Sequence, residues 1–178
     1  MWVDAHPDLC DFSRGGRWTC GCAMRRALEA SGIEPSRVVI AGGRDFDPEE
    51  LVFIEANGVL LVSAAEIARD LPAAARKIAG RLAGEKVHVS FDIDVLDPAF
   101  APGTEIPSAG GLTSRQAIEL LRGATARSRL IGLDVVEVSP PFDTSDITSF
   151  AALKMIFEVW GMVKIAREAG LSEVHGKR

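Results

Sequence analysis

Five short apolar runs, each followed by a helical pattern, limit what this chain can fold into more than any other feature. The runs are Met1 to Val3, Arg37 to Ala41, Val59 to Val62, Lys86 to Phe91 and Leu130 to Val138. They are short and rich in β-branched residues, as strands are. The segments between them read as helices. Ala23 to Ser31 stops at Gly32, and Pro48 opens a second helix with Glu49 and Glu50 in its first turn. A third helical stretch, broken near Pro72, reaches about Leu82. Thr113 is placed to cap a fourth, with Gln116 as its capping-box partner, running to about Thr125. Ile147 to Ala169 forms a long last helix, residues 9–19 form a loop, and residues 170–178 form a polar tail. Strands alternating with helices give right-handed βαβ units and a parallel sheet covered on both faces. The expected architecture is therefore a three-layer α/β/α sandwich with a mainly parallel sheet, in one domain of 178 residues.

Two of the runs end on acid. Asp4, His6 and Asp8 follow the first, and Asp92, Asp94 and Asp97 follow the fourth. Groups at the C-terminal ends of neighbouring parallel strands meet in one crevice. Four carboxylates and an imidazole gathered there repel one another unless a cation sits among them, and an oxygen-rich set with imidazole suits Mn²⁺ or a related divalent ion. Asp4, His6, Asp8, Asp92 and Asp94 are the candidate ligands. A carboxylate can bridge two metals, and such a pair makes hydroxide available near neutral pH. Asp97, before Pro98, reads instead as a turn residue. Glu137 ends the fifth run and is expected to face the same crevice, where it can pair with a planar cation such as guanidinium. Asp134 reads as a structural or pairing group.

Composition narrows the setting. A net charge of −5 argues against nucleic acid and anionic membranes as partners. No apolar run is long enough to span a bilayer, and no signal-peptide pattern stands at the start. Cys10, Cys20 and Cys22 make an odd count, so no disulfide framework is expected and a reducing, cytoplasmic setting fits. Cys20-Gly21-Cys22 lacks the second Cys pair that a soft-metal site needs.

Four segments together resemble the ureohydrolase family of arginases and agmatinases. They are Asp4-Ala5-His6-Pro7-Asp8, the run from Ser90 through Asp92-Ile93-Asp94-Val95-Leu96-Asp97-Pro98 to Thr104, Gly110-Gly111-Leu112-Thr113, and Glu137-Val138-Ser139-Pro140-Pro141-Phe142-Asp143. The resemblance implies an arginase-like α/β/α sandwich, a binuclear Mn²⁺ site and hydrolysis of a guanidino or amidino group. Urea would be released through metal-bound hydroxide. It also implies that Asp4 and Asp92 bridge the metals, that His6 and Asp94 complete one of them, and that Asp8 serves the other. Catalytic roles fall to Asp94, Glu137 and Cys20. Substrate contacts fall to Glu137, for the guanidinium, and to Asp47, for the substrate's far end; a helix-cap role for Asp47 is an equal reading. Arg14 and Arg17 in the 9–19 loop are candidates for a substrate carboxylate, with solvated side chains the simpler reading.

Three departures from the family pattern stand out. The family's upstream Gly-Gly-Asp-His segment, whose histidine serves the second metal, would precede Met1, so the expected fold is N-terminally shortened and one metal site incomplete. His88 lies inside a strand and His175 in the tail, so neither is an obvious substitute. Cys20 stands where the family has a proton-shuttling histidine, and Ile106 stands where it has a threonine. A catalytically impaired metal-binding subunit that needs a partner is therefore the alternative to a working hydrolase. Trimers or hexamers are implied, or a partner over the uncovered sheet edge. A zinc-dependent amide deacetylase, with Asp4, His6 and Asp92 on one metal, is a weaker reading that the long Asp92–Thr104 motif opposes.

Overall fold

The computed structural model describes residues 1–168. Five strands form one sheet: β1 (Trp2–Val3), β2 (Val39–Ala41), β3 (Leu60–Val62), β4 (Lys86–Asp92) and β5 (Arg129–Val136). Their order is β3-β2-β1-β4-β5, and every pairing is parallel. Six α-helices accompany them: α1 (Ala23–Ser31), α2 (Pro48–Asn57), α3 (Ala64–Arg69), α4 (Leu71–Leu82), α5 (Ser114–Thr125) and α6 (Ile147–Glu168).

Side-chain alternation along the strands builds the layers. Val3, Val39, Ala41, Val62, Val89 and Phe91 point to the face packed by α3 to α6. Trp2, Ile40 and Leu61, between them in sequence, meet Leu28 of α1 and Ile54 of α2 on the other face. This is the expected three-layer sandwich. Its α1/α2 layer covers only part of the sheet: His88 and Ser90 of β4 project toward Asp134 of β5 at 2.5 Å each, beside an open cavity of about 780 Å³. Asp134 thus has the pairing role expected of it, and His88 lines this cavity, not the one that the acidic clusters line.

Several boundaries differ from the sequence reading. Pro35–Arg37 forms a 3₁₀ turn, so β2 begins at Val39, not Arg37. The helical break falls at Asp70, whose carboxylate accepts the Ala73 N–H and caps α4; Pro72 sits in that first turn, where its missing N–H costs nothing. β5 stops at Val136, because Glu137 takes a left-handed backbone with φ 61°. The Thr113–Gln116 capping box is present. Ala169 and the 170–178 tail lie outside the described residues. Among the described residues no helix is long and apolar enough to cross a membrane.

Candidate metal centre and substrate cavity

Strand register creates the site. Val3 of β1 lies between Ala41 of β2 and Phe91 of β4, so Asp4 and Asp92 emerge side by side at the sheet's C-terminal edge. Beyond them the chain turns. The Asp92 carboxylate accepts the Asp94 N–H at 2.9 Å, and Asp94 accepts the Ala5 N–H at 3.1 Å, which ties the two strand ends together. Asp4 accepts the His6 N–H at 2.6 Å, curling the first segment so that the imidazole turns back. His6 Nδ1 then lies 3.0 Å from Asp94 and 3.5 Å from Asp4.

Asp4, His6 and Asp94 each offer one donor atom, all within 4.8 Å of one another. Asp8, Asp92 and Glu137 line the same cavity of about 270 Å³ without joining that three-atom group. Asp8 enters with φ 54°, and Glu137 with its own left-handed turn. Cys20, Asp47 and Ile106 line the cavity as well. Asp97 does not: its carboxylate accepts N–H groups of Ala99, Gly110 and Gly111 at 2.9 to 3.2 Å, a loop-clasping role that agrees with the turn reading.

The electrostatics of this cluster fit a cation. Burial pushes Asp92 up to about 10, with Asp4 and Asp94 adding repulsion. Burial and Asp4 push Asp8 up to about 8, and burial raises Asp4 to about 6 against the pull of His6. Burial also acts on Asp94, but the His6 and Ala5 contacts outweigh it and hold this carboxyl below its ordinary value. Bonds to Asp4 and Asp94 raise His6 to about 11, so an imidazolium proton is the cation that ties the group together. One buried Asp4 oxygen, Oδ2, has no hydrogen-bond partner. A divalent ion would replace that proton and satisfy that oxygen, with the oxygen and imidazole donors that Mn²⁺ favours. Asp4, His6 and Asp94 could hold one ion; Asp8 and Asp92 stand ready beside them.

Sequence reasoning missed three supports. Glu50 is a buried carboxylate on α2 that accepts the Leu9 N–H at 2.8 Å and the Asp47 N–H at 2.9 Å, so it holds the first acidic loop down. Arg44 donates to the carbonyls of Asp94 at 2.6 Å and Ser108 at 2.8 Å, fixing the second acidic turn. Asp45 lies 3.8 Å from His6 Nε2, where it can orient the ring. Glu50 carried one local signal, its capping-box spacing from Asp47. Asp47 does stand at the N-cap of α2, and its carboxylate accepts the Cys10 thiol at 3.3 Å.

A parallel sheet between helical layers, with acid and imidazole gathered at its C-terminal edge, defines the class as an α/β/α fold with a candidate metal centre. A family model described as "Arginase family" matches residues 1–161, and the chain belongs to that family. It is 41% identical over 160 residues to a guanidinopropionase of Pseudomonas aeruginosa, covering 88% of this chain and 50% of that protein. It is 39% identical over 160 residues to a guanidinobutyrase of the same organism, again covering 88% and 50%. The solved proclavaminate amidino hydrolase of Streptomyces clavuligerus superposes with a TM-score of 0.83 at 36% identity, over 90% of this chain and 54% of that one. The chain thus spans about half the length of the curated relatives it matches.

Proposed function

We propose that this chain carries the catalytic centre of a Mn²⁺-dependent hydrolase acting on a guanidino compound and releasing urea. The observation that carries this reading is the Asp4–His6–Asp94 cluster opening into the same cavity as Glu137. When bound, Mn²⁺ lowers the pKa of water enough to supply a nucleophile near neutral pH. The chain's own residues do the rest. Glu137, pushed up by burial and by Glu105 and Asp94, ionises on meeting a guanidinium and orients it through paired N–H···O bonds. Asp94, held below its ordinary value by its His6 and Ala5 contacts, stays ionised in the cavity and would accept the water's proton. Water adds to that carbon, the carbon–nitrogen bond to the substituted nitrogen breaks, and the proton passes to the leaving amine. Cys20 is exposed at the cavity, which supports a role in relaying protons to solvent. Ile106 makes one wall apolar. The three thiols are unpaired, which supports a reducing, cytoplasmic setting.

A second reading is a centre that turns over only when a partner completes it. Strand β5 is a sheet edge, and Ile131, Phe150, Phe157 and Trp160 on it and on α6 are exposed by 55% or more. An apolar surface of that kind is normally covered. We propose that a further strand and helix, from this polypeptide or from a subunit of a trimer or hexamer, cover it and bring the second ion's histidine. The test of the first reading is urea release by the Mn²⁺-loaded chain from a panel of guanidino compounds. Turnover supports it. Tight Mn²⁺ binding without urea from any compound refutes autonomous catalysis and leaves the second reading.

A further inference from the structure

We propose that the substrate is an ω-guanidino carboxylate and that Arg14 binds its carboxylate at the cavity mouth; this rests on the hydrolase reading above. Among the described residues, Arg14 is the only lysine or arginine lining the cavity. The other arginines nearby are engaged. Arg17 pairs with Asp11 at 2.9 Å, Arg26 with Asp11 and Glu29 at 2.7 and 2.8 Å, and Arg44 with the carbonyls of the second acidic turn. Arg14 has no ion pair or hydrogen bond among the described residues, and it is exposed.

The backbone holds this cation over the opening. Ser13 and Gly16 exchange two hydrogen bonds, at 2.9 and 3.0 Å, and close a two-residue turn. Arg14 and Gly15 take φ of 50° and 84°. Both central residues of such a turn have positive φ, where Asn, Asp and Gly are at ease and a long side chain is not. A strained residue is worth a functional explanation when it faces a site. Here the explanation is the charge it presents.

Substrate polarity follows from the two ends of the cavity. A guanidinium seated at Glu137 sends its tail toward the mouth. A carboxylate tail meets the Arg14 fork and can accept two parallel N–H bonds, while an ammonium tail meets a like charge. Asp45 and Asp47 share the rim and would favour an ammonium. Asp47, however, accepts the Cys10 thiol at the N-cap of α2, and Asp45 lies 3.8 Å from His6 Nε2. Of these three rim charges, Arg14 is the one with no hydrogen bond or ion pair among the described residues.

The test is calorimetric titration of the full Mn²⁺-treated chain with 4-guanidinobutyrate, agmatine and n-butylguanidine. These share a guanidinium and differ in tail charge. Arg14→Asn suits the left-handed backbone and removes only the cation, and Arg14→Lys keeps the charge without the fork. The expected result is about tenfold tighter binding of 4-guanidinobutyrate than of n-butylguanidine, with agmatine weakest. That preference vanishes in Arg14→Asn, falls in Arg14→Lys, and the n-butylguanidine affinity stays unchanged in both. Equal binding of the three, a preference for agmatine, or a preference that survives Arg14→Asn overturns the Arg14 assignment and leaves the hydrolase reading standing. Failure of all three to bind overturns both.

Discussion

Arg44 gives the sharpest test of how the site is held. Its guanidinium reaches from the loop after β2 across to the second acidic turn. It donates to the Asp94 and Ser108 carbonyls at 2.6 and 2.8 Å and makes longer contacts to those of Gly42 and Val95 at 3.3 to 3.4 Å. Hydrogen bonds from a charged donor contribute about 1.5–3 kcal/mol each, so the two short bonds are worth about 3–6 kcal/mol. Against this, burial disfavours the Arg44 charge and lowers its pKa, so removing the cation recovers part of that loss. Arg44→Met keeps the stem and abandons the carbonyls; it should cost about 2–4 kcal/mol. In a chain of this size that lowers Tm by roughly 4–16 °C. Because Asp94 hangs on the same turn, Mn²⁺ affinity should fall as well. The assay is urea unfolding followed by circular dichroism, with Mn²⁺ titration of the folded variant. A loss below about 1 kcal/mol together with wild-type Mn²⁺ affinity would refute the idea that Arg44 holds the turn.

Other consequences are as direct. Gly42 has φ 102°, and a Cβ there would strike Val95 and crowd the Asp4 carbonyl at 3.1 Å; Gly42→Ala should destabilise by about 2–4 kcal/mol in the same unfolding assay, and a neutral result would contradict the close approach. Asp143 accepts N–H groups of Thr144, Thr148 and Ser149 at 2.9 Å each at the start of α6; Asp143→Ala should cost about 1–2 kcal/mol, read as a lower Tm, whereas an unchanged Tm would remove its capping role. The metal-free protein should lose stability as pH rises. Asp8 and Asp92 stand at about 8 and about 10 in the folded state against 3.8 for a free aspartate, and His6 at about 11 against 6.5 for a free histidine. Each raised group contributes stability that is complete below its unfolded pKa and is lost as pH climbs through the folded one. Chelated protein should therefore show a falling Tm from about pH 4 to about pH 11, and Mn²⁺ should offset the fall by displacing those protons; calorimetry with and without chelator showing a flat or rising metal-free Tm would overturn this.

Most of the fold and half of the site were legible in the sequence because both rest on local patterns. Apolar runs and capping signals are local, and Asp4 and Asp92 follow runs whose pairing in a parallel sheet brings them level. The supports were not legible. Glu50 meets Leu9 from 41 positions away, and Arg44 meets Asp94 from 50. Nothing in a carboxylate or guanidinium announces such a partner. The left-handed turns at Arg14 and Glu137 were equally hidden, since neither residue type favours positive φ. The end of β5 was misplaced for that reason: Val138 continues the apolar pattern, but the backbone has already turned at Glu137.

We propose above all that Asp4, His6 and Asp94 hold a divalent ion. Mn²⁺ titration of the metal-free chain, followed by electron paramagnetic resonance of free Mn²⁺, tests it directly when repeated on His6→Ala and Asp94→Ala with folding checked by circular dichroism. At least one tightly bound Mn²⁺ per chain is expected, with loss of that site in both folded variants. A wild-type chain that binds none, or variants that bind as well as it does, would overturn the assignment.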